Sequence, residues 1–360
     1  MKKIVLSLCL ISVALASKGA ADNSNPPQLF TTSRCFDLIA SLQYFDKIKE
    51  EPQFRALSAD SVFMFNLNHI NENVTASKLC NYYALFNENH DNTDDCVSFF
   101  AELNENPETA ASADGWIKAI TALQPELSKC LSAINDAGYN EYWETNIKPK
   151  LDEYINSYPV KSDILDTIHS AITDFSGSEA LSERHSKIYV INIDNAFNLS
   201  DESFCCTPIL LDPEIEKLYR IDFLKVYIHE NLHRLAISQE LMSRLEELMD
   251  NDAFYRENES IARGYNEGMN EAFVVASEVF ISKNIGRRDN KSIYNEFKEY
   301  IDGALVLAPV IYTQFEHKRK EESLNDFILR LFDTGIIKSG SVKAEYDKAM
   351  QQLELQALAE

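Results

Sequence analysis

The residues best suited to chemistry stand together at 229–233, reading His229-Glu230-Asn231-Leu232-His233. On a helix, residues four apart share a face. Two imidazoles at that spacing can chelate one tetrahedral zinc ion, and the intervening glutamate can address a water held there. Zinc lowers the pKa of such a water to about 7, so a carboxylate can take its proton at neutral pH. The same carboxylate can then pass the proton to a leaving amine. His229 and His233 are therefore the candidate ligands and Glu230 the candidate general base.

The surrounding residues read as a buried helix. Between Leu224 and Ser238 the only Lys, Arg, Asp or Glu residues are Lys225, Glu230 and Arg234, and Ile221, Leu224, Ile228, Leu232 and Leu235 form an apolar stripe. A glutamate on such a helix needs compensation. A metal ion supplies it; the competing reading is an ion pair from Glu230 to Arg234, one turn on.

Two histidines leave a third ligand to find. The extended HExxHxxGxxH pattern needs Gly at 236 and His at 239, where this chain has Ala236 and Gln239. A second apolar segment, EGMNEAFVVASEVFISK at 267–283, predicts a buried helix whose interior acids are Glu271 and Glu278. They are seven apart, two turns along one face, and Glu267 lies one turn earlier. Glu271 is the expected third ligand. Glu278 or Glu267 is then expected to hold a ligand histidine by its other ring nitrogen. The competing reading is a solvated acidic edge.

Across about 225–282 the chain resembles the gluzincin branch of the zincin metallopeptidases. HENLH matches the first metal-binding element, and Asn270-Glu271-Ala272 is similar to the start of the second element in thermolysin-like enzymes. The resemblance implies a zinc-dependent peptidase with zinc held by His229, His233 and Glu271. Where thermolysin-like enzymes carry an Asp four residues after the Glu ligand, this chain has Val275, and it lacks the Gly-x-Met-Glu-Asn segment of the aminopeptidases. The branch also places a Tyr or His near the scissile carbonyl. The candidates are Tyr312 and His317, with Tyr265 beside them; His317 is also a fallback ligand.

Other elements must position these residues. Residues 31–180 read as a helical lobe, with Leu38, Ile39, Leu42 and Phe45, and then Ile117, Ile120, Leu123 and Leu127, recurring at helical spacing. Lys187–Ile193 alternates and is rich in β-branched residues, which predicts a strand. By the resemblance it is the edge strand that pairs with an extended peptide substrate. Thr207–Leu211 is a second strand candidate, placed at an edge by Pro208. The expected fold is α+β, mostly α: a zincin-like catalytic domain over 181–360, with a small sheet and an active-site helix, preceded by the helical lobe.

The first residues read as a targeting segment. Lys2 and Lys3 precede an apolar run from Ile4 to Leu15, and Ala14-Leu15-Ala16 suits a signal peptidase cutting before Ser17. The mature chain is expected in the periplasm or secreted, with a loose leader over 17–30 and no later run long enough to span a membrane. Losing 1–16 takes the formal charge from −23 to −25. So acidic a chain does not favour nucleic acid or anionic membranes. The expected partner is a peptide or protein substrate. Six cysteines remain after cleavage (Cys35, Cys80, Cys96, Cys130, Cys205 and Cys206), an even count that in an exported chain suggests disulfides. Two alternatives to the peptidase reading stay open, a zinc-binding protein without turnover and a metal-free interaction protein.

Overall fold

Several helices announce themselves in the residue before their first turn. Ser33, Asp60, Thr75 and Asn92 each accept a backbone N–H with the side chain, starting Arg34–Ile48, Ser61–Asn73, Ala76–Asn87 and Thr93–Ala101. Each cap satisfies a donor that the helix leaves without an internal partner. The structure is a computed structural model that describes residues 29–103, 115–158, 162–177, 184–212, 222–265 and 267–359. The targeting segment and Ile221 of the apolar stripe lie outside the described residues. The fold is α+β and mostly helical, with one four-stranded sheet.

The chain divides into two units. The first takes in Asp22–Pro159 and His185–Phe223. Its sheet consists of β1 (Phe30–Thr31), β2 (Lys187–Val190), β3 (Ala196–Asn198) and β4 (Ser203–Cys206), in the order β1-β2-β4-β3. β2 is parallel to both neighbours, with Ile188 opposite Phe30 on one side and Phe204 on the other, and β3 runs antiparallel to β4. The strand expected at 187–193 is therefore shorter and interior, not an edge open to a peptide. Leu29 and Phe30, expected in the loose leader, bring the segment that covers it: the Ile188 amide donates to the Leu29 carbonyl at 2.9 Å. Thr207–Leu211 is not a strand either. Pro208 cannot donate to a ladder, and Pro208–Leu211 forms a 3-10 turn after β4.

Large aromatic side chains fill the core of this unit; Phe36, Phe45, Phe54, Tyr82, Tyr83 and Phe100 are fully buried. One acid is buried with them. Asp37 accepts hydrogen bonds from the Trp143 indole at 2.7 Å and the Asn192 amide at 2.6 Å. Burial pushes its carboxyl up to about 7, against the pull of those two donors. The expected disulfides are absent among the described residues: all six cysteines are buried free thiols. They pack as small apolar side chains. Desolvation holds the thiols of Cys80, Cys96 and Cys205 well above their usual range, which keeps them protonated and poorly reactive.

The second unit takes in Val160–Arg184 and Leu224–Glu360. Its described elements are helical, and it contains both candidate metal-binding segments, whereas the four strands all belong to the first unit. The sequence division near residue 180 had put the sheet and the metal motif together. Phe175, Phe280, Phe315 and Phe327 form a contiguous aromatic core in the second unit. Among the described residues no helix is long and apolar enough to cross a membrane.

Candidate metal centre

The motif helix runs Phe223–Leu232. Leu224, Ile228, Leu232 and Leu235 are buried, as the apolar spacing requires. The helix ends at Leu232, earlier than the stripe suggests. Arg234 and Leu235 amides bond to carbonyls three residues back, while the His233 amide still reaches the His229 carbonyl at 3.4 Å. His233 thus sits just past the last helical residue yet keeps its place one turn above His229. The segment that follows is held by Asn325, which accepts from the Ser238 amide and donates to the Ala236 carbonyl.

The glutamate helix spans Glu271–Asn284 rather than beginning near Glu267. Gly268 interrupts the helical pattern, and Asn270 is the N-cap; its carbonyl accepts from Phe273 and Val274. Glu271 is consequently the first helical residue, where the helix dipole favours a carboxylate. Glu267 lies in the preceding turn instead of on the same helix face.

These two segments bring His229, His233 and Glu271 together as one buried group. The two Nε2 atoms are 3.1 Å apart, and Glu271 Oε1 and Oε2 lie 3.4 Å from His229 Nε2 and His233 Nε2 respectively. A tetrahedral zinc with bonds of about 2.0–2.1 Å separates its ligand atoms by about 3.3 Å. The two imidazole nitrogens therefore stand at about that spacing from each other, and each stands at about that spacing from one oxygen of Glu271. Burial lowers His229 to about 4, against the pull of the Glu271 carboxylate, and lowers His233 to about 3. Burial thus favours the neutral imidazole, the form in which a ring nitrogen can bind a metal. Glu271 Oε2 is buried and accepts no hydrogen bond, which is costly for a carboxylate oxygen without a cation.

The remaining carboxylates tighten the argument. Glu230 and Glu267 are both buried. Desolvation, then Glu271, then Glu267 raise Glu230; desolvation and Glu271 push Glu267 up to about 9. Glu271 itself is raised by burial despite His229 and Tyr300. A dication would reverse this mutual repulsion. Arg234, the competing partner for Glu230, donates to Asn231 Oδ1 at 3.0 Å.

Second partners come from residues that the sequence did not single out, with one exception. The Asn270 amide, already part of the Asn-Glu-Ala match, lies 3.4 Å from His233 Nδ1. The Tyr300 hydroxyl donates to Glu271 Oε1 at 3.0 Å. Glu278, expected to serve a histidine, belongs elsewhere. It takes two bonds from Arg288, at 2.7 and 3.3 Å, and one from the Ser282 hydroxyl. Arg288 also donates to Glu296, which in turn binds Lys225, one turn before His229. This four-charge network links the motif helix, the glutamate helix and helix Asn290–Glu299.

Neither oxyanion candidate contacts the group. The Tyr312 ring packs against Phe280 and Phe297, and His317 is exposed in a short turn. Tyr265 donates to Asp302. Nothing in their spacing could have ranked them against Tyr300, since only docking of helix Asn290–Glu299 brings a hydroxyl to Glu271. Compared with known proteins, the chain matches no family model, no curated protein and no solved structure.

Proposed function

We propose that this protein is an exported zinc-dependent metallohydrolase, a peptidase of gluzincin type, with His229, His233 and Glu271 holding the ion and Glu230 as general base. The observation that carries the reading is the convergence of three buried side chains: two imidazole nitrogens 3.1 Å apart and a carboxylate that sets one oxygen 3.4 Å from each of them. The HENLH and Asn-Glu-Ala segments add the resemblance, and the N-terminal sequence adds export.

Zinc, when bound, supplies a Lewis acid that acidifies water and polarises a carbonyl. The chain's own residues do the rest. His229 and His233 present lone pairs from one helical face, and Glu271 adds the negative charge. Asn270 and Tyr300 orient His233 and Glu271 from behind. Glu230 takes the proton of the attacking water and delivers it to the departing amine. Burial of all four groups keeps bulk water from competing for them.

Metal analysis and one substitution test this together. Gently purified protein is expected to carry about one zinc per chain, given the tight binding of such sites; less than about half overturns the proposal. Glu230→Gln is expected to retain zinc and to lose cleavage of a peptide mixture. A zinc-loaded wild type that cuts none of those peptides overturns the hydrolase and leaves a binding protein.

A further inference from the structure

Tyr300 reaches Glu271 from an unusual piece of backbone. Immediately after it, Ile301 (φ 51°, ψ 42°) and Asp302 (φ 54°, ψ 26°) are left-handed, and Gly303 follows with φ 75°. Left-handed residues without glycine's freedom are uncommon, and a β-branched one is an outlier. Such backbone persists where its surroundings over-determine it, often beside functional groups. Here the anchors are visible. The Ile301 side chain is buried, Asp302 accepts from the Tyr265 hydroxyl, and a Cβ at 303 would meet the Lys298 carbonyl oxygen at 3.0 Å. Helix Asn290–Glu299, just before the turn, is tied through Glu296 to Arg288 and Lys225. The turn therefore fixes where the Tyr300 hydroxyl points.

The two oxygens of Glu271 are consequently unlike. Oε1 accepts from Tyr300 at 3.0 Å and lies 3.4 Å from His229 Nε2, whereas Oε2 lies 3.4 Å from His233 Nε2 and has no hydrogen-bond partner. We infer that Tyr300 is a positioning residue: it occupies Oε1, leaves Oε2 as the single oxygen offered to the metal, and so keeps the fourth tetrahedral position open for water. This rests on the metal-binding reading above. A carboxylate without that restraint could turn both oxygens to the ion and fill the open position. The strained turn is then what keeps Glu271 from chelating with both oxygens.

Cobalt substitution reads this directly, because four-coordinate Co2+ absorbs visible light far more strongly than five- or six-coordinate Co2+. Wild type, stripped with chelator and titrated with Co2+, is expected to show the strong four-coordinate spectrum. Tyr300→Phe keeps the ring and removes only the hydroxyl. It is expected to weaken that absorption at least twofold and to lower zinc affinity about 10–100-fold, measured against a chromophoric chelator. Tyr294→Phe, which loses only a surface bond to Glu354, is expected to behave as wild type, and circular dichroism checks that all three fold. Tyr300→Phe with the wild-type cobalt spectrum and zinc affinity overturns the inference and leaves the metal site standing. A wild type that binds neither ion overturns both.

Discussion

Arg288 is the residue whose loss should loosen the packing around the candidate metal centre without touching a proposed ligand. It is nine-tenths buried and bridges two carboxylates, Glu278 on the glutamate helix and Glu296 on helix Asn290–Glu299. Replacing it by Met keeps the apolar stem and removes three hydrogen bonds, at 2.7, 3.0 and 3.3 Å. Glu296 retains Lys225, but Glu278 keeps only the Ser282 hydroxyl. A buried carboxylate stripped of its cation costs about 3–5 kcal/mol. For a unit of this size, each kcal/mol lowers the melting temperature by about 2–4 °C, so the expected drop is roughly 10 °C. Adding Glu278→Gln removes the orphaned charge and should recover about half of the loss. Thermal and urea melts followed by circular dichroism measure both. Arg288→Met costing less than about 1 kcal/mol refutes the reasoning, as does a double variant no more stable than the single, since either outcome means Glu278 is not an unpaired buried charge.

Two further perturbations probe different layers. Gly268→Ala would place a Cβ 2.8 Å from Asn270 Oδ1, displacing the amide that faces His233; zinc affinity should fall about 10-fold in a chelator competition, with little change in melting temperature. Asp37 should make the first unit less stable as pH rises. Its unfolded carboxyl releases a proton near 3.8 and its folded one near 7, so between these values the native state holds the extra proton and stability falls on the order of 1.4 kcal/mol per pH unit. Above the upper value the loss levels off. Urea melts of wild type and Asp37→Asn from pH 4 to 8 measure this; parallel curves would show that Asp37 holds its proton no more tightly in the folded state than in the unfolded one.

The candidate metal-binding pair was legible because its geometry is local. The spacing of His229 and His233 belongs to a single helical turn, and the apolar residues around them already demand burial. The alternation that marks β2 and the Ser, Asp, Thr and Asn caps are equally local. Other features are set by how elements dock. Helical periodicity offered Glu267, Glu271 and Glu278 on one face, and the break at Gly268 together with Arg288 sorted them: Glu271 joins the histidines, Glu278 joins an ion network, and Glu267 stays in the turn. Strand order was also out of reach, because pairing of Leu29–Thr31 with β2 spans more than 150 residues and leaves no mark in either segment. The cysteine count suggested bonds that the packing did not make. Tyr300 is the sharpest case. No pattern in its own neighbourhood distinguishes it from Tyr312, since a hydroxyl acquires its role from the carboxylate that tertiary packing sets 3.0 Å away.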